Sequence, residues 1–73
     1  MSQLPILSGR ELVKILAKLG YSVVRQRGSH MRLSANGRKS ITVPAYKTID
    51  RSLVMKILRD VEISVDEFMK LIY

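Results

Sequence analysis

His30-Met31-Arg32-Leu33-Ser34-Ala35-Asn36-Gly37-Arg38-Lys39-Ser40-Ile41-Thr42-Val43-Pro44 has the alternation of a hairpin. Met31 and Leu33 alternate with His30, Arg32 and Ser34, so the first arm separates an apolar face from a polar one. Asn36-Gly37 marks the turn into the second arm, residues 39–43. A two-residue loop there would pair Met31 with Thr42 and Arg32 with Ile41, which a half-buried sheet forbids. A three-residue loop, Ala35-Asn36-Gly37 with Gly37 in the left-handed bulge position, pairs Met31 with Ile41 and Ser29 with Val43. That register is the expectation, with Pro44 stopping the strand.

Upstream, residues 21–26 read as a further strand, carried by Tyr21, Val23 and Val24. If Arg27-Gly28 is a two-residue loop, Arg25 lies opposite His30; a loop of other parity puts Gln26 or Arg27 on that face instead, and the sequence leaves the choice open. Before it, Leu7-Ser8-Gly9-Arg10-Glu11-Leu12 is a helix start. Ser8 and Glu11 form a capping box, and Leu7 staples onto Leu12. Leu12, Val13, Ile15, Leu16 and Leu19 make the buried face, and Gly20 closes the helix. Arg10, Lys14 and Lys18 run along the other side, either as a solvated face or as a stripe against phosphates.

Downstream, the connector 45–49 contains Tyr46 and Lys47. Asp50 is the expected cap of a second helix with Leu53, Val54, Ile57, Leu58 and Val61 inward. Ser64 and Glu67 repeat the capping box, with Ile63 stapling onto Phe68, and open a short third helix that turns Phe68, Leu71 and Ile72 inward. One domain over residues 1–73 is expected, of the α+β class. Its order is α-β-β-β-α with a short extra C-terminal helix. Three antiparallel strands, polar on one face, need helices on the other, giving a two-layer sandwich like that of double-stranded-RNA-binding domains.

Charge narrows the partners. Residues 1–49 carry nine basic side chains against one acid, Glu11, whereas residues 50–73 carry four against five. No acid lies between Glu11 and Asp50, and the chain totals +7. That asymmetry points to a polyanion: nucleic acid first, an acidic protein second, an anionic membrane third. The absence of cysteine excludes disulfides and thiolate metal sites and fits a reducing cytosol. Met1-Ser2-Gln3-Leu4-Pro5 lacks the basic start and apolar run of a signal peptide, and no apolar stretch is long enough to span a bilayer, so a cytoplasmic location is expected.

The inventory for catalysis is short. With one histidine and with Glu11, Asp50, Asp66 and Glu67 at helix starts, no trio of metal ligands emerges. Gly9, Gly20, Gly28 and Gly37 each have a cap or turn reading, so no phosphate loop is present. RNA cleavage asks less of a protein, because the 2′-hydroxyl is a built-in nucleophile. It needs a base, cations for the charged phosphorane and an acid for the leaving oxygen. His30 is the one candidate for base or acid. Arg25, Arg27 and Arg32 are candidate stabilisers, and Tyr46 or Lys47 could approach from the connector. The bland alternative makes His30 an exposed strand histidine without a role.

These residues resemble the HicA-type mRNA interferase toxins. The likeness covers about residues 8–72. It rests on Arg10-Glu11-Leu12 with Leu16, Leu19-Gly20-Tyr21, Arg27-Gly28-Ser29-His30, Thr42-Val43-Pro44, Leu53 with Ile57-Leu58, and Ile63-Ser64 with Glu67-Phe68. The most specific part is Gly28-Ser29-His30 followed by Val43-Pro44. The resemblance implies a dsRBD-like fold, ribosome-independent mRNA cleavage with His30 as the essential catalytic residue, and inhibition by a HicB-type antitoxin. No metal and no small-molecule cofactor is implied. Around His30, the candidate RNA-binding residues are Arg10, Lys14, Lys18, Arg25, Arg27, Ser29, Arg32 and Lys47. Two departures stand out: Tyr46 where many members have a histidine, and Arg51-Ser52-Leu53 where a Gly-Thr-Leu is usual. A non-catalytic RNA-binding module is the alternative function, and a module docking an acidic protein is the third.

Overall fold

Two reciprocal capping boxes set the ends of the helical layer. In the computed structural model, which describes residues 4–72, the Ser8 N–H donates to Glu11 Oε1 at 2.8 Å and the Glu11 N–H donates to Ser8 Oγ at 3.1 Å. The same exchange joins Ser64 and Glu67, at 3.1 and 3.0 Å. Each box satisfies two N–H groups that a helix start leaves without partners. The expectation of no signal peptide rests partly on Met1–Gln3, which lie outside the described residues.

The order is α1 (Gly9–Ala17), β1 (Ser22–Arg27), β2 (His30–Ser34), β3 (Ile41–Pro44), α2 (Arg51–Val61) and α3 (Val65–Ile72). The strands form one antiparallel sheet in the order β1-β2-β3. This is the expected dsRBD-like α+β arrangement. Leu12 and Leu16 of α1, Leu33 and Val43 of the sheet, Val54, Leu58 and Val61 of α2, and Phe68 of α3 are the most deeply buried large side chains. Each such burial contributes about 1.5–3 kcal/mol. Val13 and Leu19 are only half-buried, at the rim of the helix face expected to be inward. Tyr21 precedes β1 and lies in the core, its hydroxyl donating to the Lys39 carbonyl at 2.7 Å.

The sheet register departs from expectation by two residues. Met31 pairs with Val43, Leu33 with Ile41 and His30 with Pro44. A shift of two keeps every side chain on its expected face, so hydrophobic alternation cannot distinguish the two registers. Contacts at the far end of the loop favour the observed one. Arg38 Nη1 donates to the Val61 carbonyl at 3.0 Å, and Lys39 pairs with Asp60 at 3.4 Å. Both draw residues 38–39 toward α2 and out of the strand. Ser29 is therefore not opposite Val43. It sits in the β1–β2 turn, where its carbonyl accepts the Ala45 N–H at 2.6 Å.

That turn is Gly28-Ser29, not Arg27-Gly28. The positive φ of +56° falls on Gly28 and none falls on Ser29, as a type II′ loop requires. Arg27 therefore faces His30 across the ladder, and Arg25 faces Arg32. A bulge between Val23 and Arg25 then returns Val23 to the core side, opposite Leu33. No residue of β1 is buried, so the helices cover this edge strand only thinly.

Asp50 stands at the N-cap of α2 but its carboxylate makes no capping bond to the backbone; it accepts the Ser52 hydroxyl at 2.9 Å. The expected Asp50 side-chain cap is replaced by this local hydroxyl contact, an alternative open to short polar side chains. At the other end, α2 closes through Glu62 in the left-handed region, φ +65°, with the Ile63 N–H returning to the Leu58 carbonyl at 3.1 Å.

Candidate active site

Because β2 alternates strictly, His30 and Arg32 are exposed on the sheet face opposite Met31 and Leu33. The turn at Gly28-Ser29 brings Arg25 and Arg27 of β1 to that same face, and β3 adds Thr42 opposite Arg32. Together Arg25, Arg27, His30, Arg32 and Thr42 line an open recess of about 240 Å³. Arg32 Nη1 donates to Thr42 Oγ1 at 3.0 Å, which holds one guanidinium against the sheet.

Among the described residues no carboxylate lines this recess. Three arginines clustered without acidic partners repel one another, an arrangement that suits a polyanion. Guanidinium forks match phosphate geometry, and backbone-held arginines on a sheet are better preorganised than on a loop. Among the described residues no group of three His, Cys, Asp or Glu side chains is placed to hold a metal ion.

The other sequence candidates are dispersed. Arg10 and Lys14 lie on α1 and border a second groove with Val13, Val23, Gln26 and Met31, on the helix side of the sheet. Lys18 donates through Nζ to the Leu71 carbonyl, near the C-terminal end of α3, where a cation suits the exposed carbonyls. The basic stripe of α1 is thus divided between a groove and a helix-end contact. Ser29 is half-buried in the turn and does not line the recess, and Lys47 is exposed in the connector.

Thr42 was not among the sequence candidates. Its polar-face position followed from alternation, but its place opposite Arg32 depends on the two-residue register shift. The connector is also held more tightly than its composition suggests. The Ala45 N–H bonds to Ser29, the Gly9 N–H donates to the Tyr46 carbonyl at 2.9 Å, and the Ile49 N–H donates to the Leu7 carbonyl at 2.7 Å. A Cβ on Gly9 would lie 1.9 Å from the Pro44 carbonyl oxygen, so glycine is what lets α1 meet the connector backbone to backbone.

Among the described residues two titrating groups are perturbed, both by the scaffold. The Ser8 backbone N–H, then its hydroxyl, with Lys14 adding slightly, hold the Glu11 carboxyl below the usual carboxylate range. Burial pushes the Tyr21 phenol up, with Asp60 and Glu62 adding to that and Arg38 opposing it.

A small α+β protein with a cationic sheet face around a single histidine is the class that these features define. The family model described as HicA toxin of bacterial toxin-antitoxin matches residues 9–63, and the chain belongs to that family. It is thus a toxin-type chain of a toxin–antitoxin system, a class that implies an antitoxin partner. No curated protein and no solved structure matches it. No helix among the described residues is long and apolar enough to cross a membrane.

Proposed function

We propose that the chain is a metal-independent endoribonuclease that cleaves mRNA in the cytoplasm, with His30 as the catalytic residue. The observation that carries this reading is the recess itself, where an exposed imidazole shares its walls with Arg25, Arg27, Arg32 and Thr42 and with no acid. A phosphodiester seated against the guanidiniums presents its adjacent 2′-hydroxyl to His30. The imidazole takes that proton, O2′ bonds to phosphorus, and the P–O5′ bond breaks, with O5′ taking a proton from solvent. The products are a 2′,3′-cyclic phosphate and a free 5′-hydroxyl. The arginines stabilise the dianionic phosphorane more than the monoanionic ground state, which is the condition for catalysis.

Arg10 and Lys14 extend the contact to RNA running over the β1 edge, with Lys47 contributing from the connector; Lys18 and Ser29 are weaker members of the set because each already has a structural role. A HicB-type antitoxin with an acidic surface would neutralise the sheet face and serve as the off-switch. Induced expression of the parent and of His30→Gln in a bacterium tests the reading. The parent should arrest growth and fragment mRNA, and the variant should do neither while accumulating as folded protein. Loss of mRNA integrity with both chains would remove His30 from the mechanism. RNA binding without cleavage by either would favour a non-catalytic RNA-binding module.

A further inference from the structure

The recess suits a phosphate, and the one ring in its lining is the His30 imidazole, which the cleavage reading commits to proton transfer. Its walls are three guanidiniums, one imidazole and one hydroxyl. Of the aromatic side chains in the described residues, Phe68 and Tyr21 are buried and Tyr46 is 52% exposed. Exposed single apolar residues are common and by themselves mean little. Tyr46 differs because its backbone is fixed and because of where it is fixed. Pro44 faces His30 across the sheet, the Ala45 N–H is bonded to Ser29 beside that histidine, and the Tyr46 carbonyl is bonded to the first residue of α1. Two peptide steps separate Pro44 from Tyr46, so their Cα atoms are at most about 7.6 Å apart. Tyr46 is thus an exposed ring on an anchored segment that continues directly from the residue facing His30. A rigid aromatic next to a cationic track is how single-stranded nucleic acid is held, since every base has a π-face.

We propose that Tyr46 is the stacking platform for an unpaired nucleobase next to the scissile phosphate, which makes single-stranded RNA the preferred substrate. This assignment rests on the RNA-cleaving reading of the recess. The phenol hydroxyl plays no part in it; the ring face does.

The test is binding of an unpaired RNA oligonucleotide with all 2′-hydroxyls methylated, which removes the nucleophile and separates binding from cleavage. Tyr46→Ala should weaken binding by about tenfold, the usual scale for one base stacked on one ring, while Tyr46→Phe restores parental affinity. Walking one abasic position along the oligonucleotide should reveal a site that costs the parent about tenfold and costs Tyr46→Ala nothing. Equal melting temperatures for the three chains show that the fold is retained. If the parent binds RNA and Tyr46→Ala binds it equally well, the assignment is wrong. If the parent binds no RNA even at low salt, the RNA reading itself fails and this inference falls with it.

Discussion

Arg25 stands directly across the β1–β2 ladder from Arg32, and no carboxylate among the described residues lines the recess they share. Like charges placed opposite one another on a sheet cost stability. A threonine at either position would avoid that cost, so the pairing argues for an anionic ligand. Replacing Arg25 by Thr should therefore stabilise the free protein by about 0.2–1 kcal/mol, with the gain shrinking in high salt. The same variant should bind RNA more weakly. Chemical denaturation at two salt concentrations, beside RNA titration, measures both signs.

Gly9 lies against the Pro44 carbonyl with no room for a Cβ. Alanine is the better helix former by about 1 kcal/mol, so propensity alone predicts that Gly9→Ala stabilises. The steric clash should win. The helix start must move away from the connector, and overpacking of this kind costs about 1–3 kcal/mol. A lowered melting temperature, with reduced RNA affinity from a displaced connector, is the expected outcome.

Tyr21 combines a raised phenol with a hydroxyl bonded to the Lys39 carbonyl. A group whose folded value is raised contributes stability that is fully present below its unfolded value and is lost as pH rises through the folded one. The parent should therefore lose stability above the ordinary phenol range. Tyr21→Phe gives up the hydrogen bond, at about 1 kcal/mol near neutrality, and should show a smaller alkaline loss. Unfolding curves from neutral to strongly alkaline pH read both effects.

Glu11 behaves in the opposite sense. Its carboxyl is held low by the Ser8 backbone N–H and hydroxyl. Its contribution is present above the ordinary carboxylate range and is lost as pH falls through the lowered folded value. Glu11→Gln retains a capping-box acceptor without the titration. That variant should flatten part of the acid limb of the stability curve, and a parent-like limb in Glu11→Gln would contradict the assignment.

The helix starts were legible because capping boxes are local: Ser8 with Glu11 and Ser64 with Glu67 carry their geometry within four residues. The face of His30 was legible for a similar reason, since alternation along β2 needs no knowledge of its neighbours. What alternation leaves open is any shift of two. The β2–β3 register is Met31–Val43 where the expectation is Met31–Ile41, and that difference is what sets Thr42 opposite Arg32. Asp50 looked like a cap from composition but found a closer donor in Ser52. The Lys18 contact with Leu71 joins residues 53 apart, and the Gly9 approach to Pro44 joins a helix to a distant connector. Such long-range placements depend on the packed fold. The candidate recess was legible as a histidine with arginines nearby. Which arginine faced it depended on the turn, and only the Gly28-Ser29 loop makes Arg27 its cross-strand neighbour.

Cleavage of a single-stranded RNA by purified parent and His30→Gln, in the presence of a chelator, tests the central claim most directly. The account predicts that the parent cuts without metal and leaves 2′,3′-cyclic phosphate ends. His30→Gln should keep the fold and still bind the RNA, but leave it intact. Cleavage by His30→Gln at the parental rate would contradict the account.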